Sequence, residues 1–194
     1  MILDSLFLIL IVGLGNPGEQ YRTTRHNIGR EIAAAFAREA KLPEFHFEKK
    51  WKAQVTEGKI GKEKAAVLLP DTMMNLSGSA ATPAARFFKV KPRDIFIIHD
   101  DADIRLGAAK LSFGKRSAGH KGTESVMRGL KTRDFWRFRI GIAGKRNIPA
   151  EKLVLKKFAP DEQHIIKKII KRTVDALAQA ITESPERAMN EYNR

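Results

Sequence analysis

Two short runs in this chain are apolar at every position, and they limit its fold more than any other feature. Residues 6–12 read Leu-Phe-Leu-Ile-Leu-Ile-Val, and Asp94 and His99 enclose Ile-Phe-Ile-Ile. A strand with one wet face alternates apolar and polar residues, whereas a strand covered on both faces does not. Neither run approaches the ~20 residues needed to cross a bilayer. The first is also a poor secretory core, because Asp4 precedes it, no basic segment leads it and a Gly/Pro turn follows at once. Both therefore read as buried strands of a parallel sheet, which must carry helices on both faces.

The rest of the chain supplies those helices. Ile28, Ile32, Ala35 and Phe36 fall on one side of a helical pattern over 27–40. Residues 51–60 and 64–69 read as two strands joined at Gly61-Lys62-Glu63. A helix over 76–88 contains Pro83, which is expected to kink it or end its first turn. A strand over 108–113, a loop over 114–122, a helix over 123–130 and a strand over 135–143 follow. A long helix begins near Pro160 with Ile165, Ile166, Ile169, Ile170, Val174, Leu177 and Ile181 on its stripe, and a short one starts at Ser184-Pro185-Glu186. The alternation predicts an α/β, single-domain sandwich over residues 1–194, with a mixed, mostly parallel twisted sheet flanked by helices. Ligands of such sheets gather beyond the carboxyl ends of the strands. Asn16, Asp100 and the loop around His120 are expected there.

Lys and Arg number 36 against 22 Asp and Glu, a net +14, which points to a polyanionic partner such as RNA or to a generally basic surface. No cysteine is present, so disulfides and thiol chemistry are excluded, in keeping with a cytoplasmic protein. Much of the positive charge falls in 110–146, at Lys110, Lys115, Arg116, Arg128, Lys131, Arg133, Arg137, Arg139, Lys145 and Arg146. That stretch is a candidate phosphate-binding face. The Lys167-Lys168 and Lys171-Arg172 pairs fit a solvated helix face.

Gly13-Leu-Gly-Asn-Pro-Gly18 matches the spacing of a dinucleotide-binding turn after a strand. The context fails, because Pro17-Gly18 makes a turn where a helix should begin and Glu39 lies in a helix rather than at a strand end. His26 lies just past that turn in a polar run, where a base can work. His99-Asp-Asp-Ala-Asp103 places Asp100, Asp101 and Asp103 after a buried strand. They suit a divalent-metal site, a carboxylate orienting a histidine, or a solvated acidic loop. Asn75, beside Met73 and Met74, can donate to a carbonyl and accept from an amide, which suits peptide binding.

Taken in order, Val12-Gly-Leu-Gly-Asn-Pro-Gly18, Tyr21 with Thr24-Arg-His-Asn27, Met74-Asn-Leu-Ser-Gly78, His99-Asp-Asp with Asp103, Gly119-His-Lys-Gly122 and Arg137-Phe-Arg-Ile-Gly-Ile142 resemble the bacterial-type peptidyl-tRNA hydrolases over nearly the whole chain. The resemblance implies hydrolysis of the ester between a peptide and the terminal ribose of tRNA, without metal or cofactor, by a cytoplasmic monomer with peptidyl-tRNA as its partner. It implies His26 as base and Asp100 as its orienting carboxylate. Asn16, Tyr21, Met74, Asn75 and Lys121 would contact substrate, and Lys110, Lys115, Arg116 and Arg139 would contact tRNA. Two positions depart from the family. Lys121 stands where asparagine is usual, keeping donors but losing the acceptor. Ser112 stands where a phosphate-clamping lysine is expected. A non-catalytic RNA binder on the same fold is the alternative reading.

Overall fold

The computed structural model describes residues 8–144 and 148–193. The start of the first apolar run, at Leu6 and Phe7, and the basic Lys145 and Arg146 lie outside the described residues. The two apolar runs sit side by side in the middle of one sheet. In chain order the strands are β1 (Leu8–Gly13), β2 (His46–Glu48), β3 (Ala53–Ile60), β4 (Glu63–Pro70), β5 (Ile95–Arg105), β6 (Ala109–Phe113) and β7 (Trp136–Ala143). Their order across the sheet is β2-β3-β4-β1-β5-β7-β6. The central β4, β1, β5 and β7 pair in parallel, while β2–β3, β3–β4 and β6–β7 pair antiparallel.

Alternation along β1 and β5 sends apolar side chains into two cores. Ile11, Phe96, Ile98, Phe138 and Ile140 pack with α1 (Ile28–Glu39), α5 (Gln163–Thr182) and α6 (Pro185–Tyr192) through Ile28, Ile32, Phe36, Ile166, Ile169, Leu177 and Tyr192. Leu10, Val12, Ile95, Ile97 and Phe135 face α2 (Ser77–Phe87) and α3 (Lys121–Leu130) through Ala80, Ala81, Ala84 and Val126. Burial on both faces is why these strands carry no polar alternation.

Four differences from the sequence reading have physical causes. β5 does not stop at His99 but continues to Arg105, pairing Asp100 with Ile140 and Asp101 with Gly141 of β7. The acidic residues therefore lie on a strand, where Asp100 and Asp101 are buried and paired, and not in a loop. α2 runs through Pro83 without ending. The short β2 escapes the reading because its three residues are mostly exposed and make only one pairing. A four-residue helix, α4 (Ala150–Leu153), likewise lacks the length to show a period.

Layer spacing is set locally by glycine. Gly29, in the first turn of α1, lies so close to β5 that a Cβ there would overlap the Ile98 carbonyl. Helix propensity alone predicts that Gly29→Ala stabilises by about 1 kcal/mol. The clash predicts the opposite sign, a loss of about 1–3 kcal/mol as in other overpacked sites. Urea denaturation of the two proteins at one pH checks which term wins.

Candidate active site

The glycine-rich turn after β1 serves packing and has no helix at its end. A Cβ on Gly13 would overlap Ala33 and the Gly29 carbonyl of α1, and one on Gly15 would press on Asn27. The turn runs into a 3-10 turn, Glu19–Tyr21, and the next helix begins only at Ile28. The dinucleotide geometry is absent from these described residues. Instead the turn presents Asn16, which is buried and held from three directions. Its N–H donates to Asn27 Oδ1 at 2.9 Å, its carbonyl accepts from Asn27 Nδ2 at 2.9 Å, and its Oδ1 accepts from the Met74 N–H at 2.7 Å. The side-chain amide nitrogen is left as the donor on the cavity side.

That cavity, about 370 Å³, is lined by Asn16, His26, Met74, Asn75, Asp100, His120 and Lys121, with Met73, Val154 and Leu155 adding apolar wall. His26 sits in the 3-10 turn Arg25–Asn27 that leads into α1. This turn is fastened to the chain beyond α4. The Arg25 and His26 N–H groups donate to the Lys156 and Val154 carbonyls, both at 2.9 Å, and Thr24 bridges Lys157. The buried Arg25 guanidinium donates to the Ile142 carbonyl at 3.1 Å, pairs with Glu162 and lies over the Phe158 ring.

Asp100 occupies the centre. Its Oδ1 is 2.7 Å from His26 Nδ1 and 3.0 Å from His120 Nε2. His120 is the N-cap of α3, and its Nδ1 accepts the Thr123 N–H at 3.1 Å. With Nδ1 accepting from Thr123, Nε2 is the nitrogen that donates to Asp100. His26 likewise directs Nδ1 to Asp100, which leaves Nε2 as the ring's free basic nitrogen. Burial alone would raise the Asp100 carboxyl, but the charges and hydrogen bonds of His120 and His26 outweigh it and hold the group well below the usual carboxylate range.

Behind His120 lies His99, fully buried and 4.5 Å from it between ring centroids. His99 Nδ1 donates to the Asp100 carbonyl at 2.6 Å, and its Nε2 faces Arg137 Nη1 at 3.4 Å. Arg137, 1% exposed, also donates through Nη2 to the Arg116 carbonyl at 2.6 Å, pinning the cationic loop. Burial, then the neighbouring charges of His120 and Arg137, push His99 well below the ordinary histidine value. Burial chiefly lowers Arg137 to about 10.

The remaining sequence candidates are spread out. Asn75 and Lys121 are exposed at the cavity rim, where Lys121 Nζ lies 3.9 Å from Glu151. Tyr21 does not line the cavity. Arg139 is half-buried on β7 with Lys110 opposite it on β6, and Lys115 and Arg116 are exposed on the loop. Asp101 is paired with Arg139 and Asp103 is exposed, so the acidic triplet does not converge on one point. Among the described residues only His26, Asp100 and His120 bring potential metal-ligating atoms together. Separations of 2.7 and 3.0 Å are hydrogen-bond lengths, shorter than the spacing of two ligands around one ion at ~2.0–2.2 Å each. From sequence the loop around His120 was expected beside Asp100, but His120 and His99 were given no role in the cluster, and Arg137 was read only among the basic residues of 110–146. The helix that begins directly after His120, with Thr123 three residues on, was the available signal for its capping role.

An imidazole hydrogen-bonded to a buried carboxylate, beside an amide donor at an open cavity, is a set of groups suited to hydrolysis of an acyl bond. The comparisons name a hydrolase. The peptidyl-tRNA hydrolase family model matches residues 10–194. A peptidyl-tRNA hydrolase of Desulfitobacterium hafniense (strain Y51) is 38% identical over 186 residues, covering 95% of this chain and 99% of the relative. One from Clostridium botulinum (strain Hall) is 36% identical, covering 96% and 97%. The crystal structure of peptidyl-tRNA hydrolase from Acinetobacter baumannii superposes with a TM-score of 0.90 at 30% identity, covering 97% of this chain and 95% of that one. The chain belongs to the peptidyl-tRNA hydrolase family.

The buried neutral His99 makes a prediction about stability. Below the ordinary histidine value near 6.5, the unfolded chain binds a proton that the folded chain refuses. Stability is then lost as pH falls below that value, by up to about 1.4 kcal/mol per pH unit, until the folded value is reached. His99→Gln removes this group, so its stability curve from about pH 7.5 to about pH 5 is expected to be flatter than that of the wild type. Urea titrations across that range measure both slopes.

Proposed function

We propose that hydrolysis of peptidyl-tRNA, the reaction for which the family is named, proceeds in this chain by direct attack of water with His26 as base. The observation that carries this reading is the 2.7 Å contact between His26 Nδ1 and Asp100 Oδ1, made at the wall of the cavity. His26 Nε2 takes a proton from water as the water oxygen bonds to the acyl carbon. The Asp100 carboxylate stabilises the resulting imidazolium, and the Asn16 amide donates to the oxyanion. When the tetrahedral intermediate collapses, the imidazolium returns the proton to the departing ribose oxygen, giving intact tRNA and a peptide carboxylic acid that then loses its proton to solvent.

His120 donates through Nε2 to the same Asp100 oxygen that faces His26. Met73, Met74, Val154 and Leu155 give the acyl portion an apolar wall, with Asn75 and Lys121 at the rim. Arg139 and Lys110 form the phosphate-binding edge, helped by Lys115 and Arg116 on the loop that Arg137 pins. Ser112, opposite Arg137 on β6, has a buried hydroxyl without a protein partner and leaves that edge one cation poorer than the family pattern. The non-catalytic RNA-binder reading is not favoured, since the relatives are named as hydrolases over their full length. No helix among the described residues is long and apolar enough to cross a membrane. Action in the cytoplasm as a monomer is part of the proposal.

The test is release of tRNA from an N-blocked aminoacyl-tRNA. His26→Ala is expected to lower kcat by ~10²–10⁴-fold while the protein stays folded, and a folded variant retaining more than about a tenth of activity is incompatible with His26 as the base. Asp100→Asn is expected to reduce kcat more than tRNA affinity, because an amide cannot balance the imidazolium. Equal loss of affinity with kcat preserved would assign Asp100 to binding instead.

A further inference from the structure

Strand alternation sends the two neighbouring aspartates of β5 to opposite faces of the sheet. Asp100 goes to the histidines. Asp101 goes to Arg139, whose Nε donates to its Oδ2 at 2.7 Å. Asp101 is only 5% exposed, and its second oxygen accepts the Asp103 N–H at 3.0 Å, so the carboxylate cannot turn. We propose that Asp101 is a positioning residue for tRNA binding, fixing the Arg139 guanidinium through Nε so that both terminal nitrogens remain for a backbone phosphate.

Two observations support this, and one consideration opposes it. Arg139 makes its hydrogen bond through Nε alone among the described contacts, and a guanidinium held there still presents its outer nitrogens as a fork. Lys110 lies directly opposite Arg139 in the β6–β7 register, is exposed, and adds a second cation on the same face. A carboxylate at such a place also carries a cost, since its charge repels the polyanion that the basic edge attracts. Geometry and charge therefore predict opposite signs when Asp101 is removed.

The inference rests on Arg139 contacting phosphate, and a mutant cycle separates the two claims. Deacylated tRNA binding is measured against salt for Asp101→Ala, Arg139→Ala and the double variant, with kcat and KM on N-blocked aminoacyl-tRNA. Asp101→Ala is expected to weaken binding about 3–10-fold and to flatten the salt slope by about one, as Arg139→Ala does. Its kinetic loss should fall mainly in KM. In the Arg139→Ala background, Asp101→Ala should weaken binding no further. Tighter binding by Asp101→Ala, equal weakening in both backgrounds, or a fall in kcat at constant KM would overturn the proposal. If Arg139→Ala leaves affinity and salt slope unchanged, the phosphate contact itself is wrong and the proposal falls with it. Should Asp101→Ala fail to fold, Arg139→Lys keeps the charge but cannot join a carboxylate contact to an outward fork. It is expected to bind as weakly as Arg139→Ala, and wild-type affinity would overturn the proposal.

Discussion

One carboxylate oxygen, Asp100 Oδ1, accepts from two imidazoles in a site closed to water on most sides. An ionised carboxylate at this depth is costly unless it is fully partnered. The partners come from opposite layers, His26 from the turn before α1 and His120 from the cap of α3. Neither layer can shift without exposing or orphaning the charge. The Gly29 approach to β5, the Asn27 clamp on Asn16 and the Thr123 cap on His120 all serve to bring those rings within reach of one atom. The fold supplies a sheet, and this contact fixes how the two helical layers are placed upon it.

Much of that sheet was legible. The uninterrupted apolar runs announced central parallel strands, and the 3.6-residue stripes of α1 and α5 announced their cover. What escaped was set by contacts distant in sequence. β5 runs to Arg105 with Asp100 and Asp101 buried and paired to residues 26, 120 and 139, and no local signal distinguishes such a strand from an acidic loop. Pro83 stays within α2, where a kink or the end of a first turn was expected. β2 is held by the strand beside it, with little in its own three residues to mark it.

The site was legible as a set of residues but less so as an arrangement. His26, Asp100, Asn16 and Met74 were read from chemistry and family pattern, and they share one cavity. Their division of labour required coordinates. Asn16 uses its oxygen on the Met74 backbone, which leaves its nitrogen as the available donor, and His120 uses Nδ1 on its own helix, which selects Nε2 for Asp100. The same holds for Lys121. Sequence marked it as a departure, and the structure sets it beside Glu151 at the rim.

The segment carrying His26 is annealed, through Thr24, Arg25 and His26 itself, to the backbone that supplies Val154 and Leu155 to the cavity. His26 and this wall are thus tied together by backbone hydrogen bonds. On the proposed reading, a mutation that pushes Leu155 outward also draws on the turn that carries His26. Met73 and Ala118 line the same cavity from segments outside this attachment, so changing a side chain there leaves these hydrogen bonds in place.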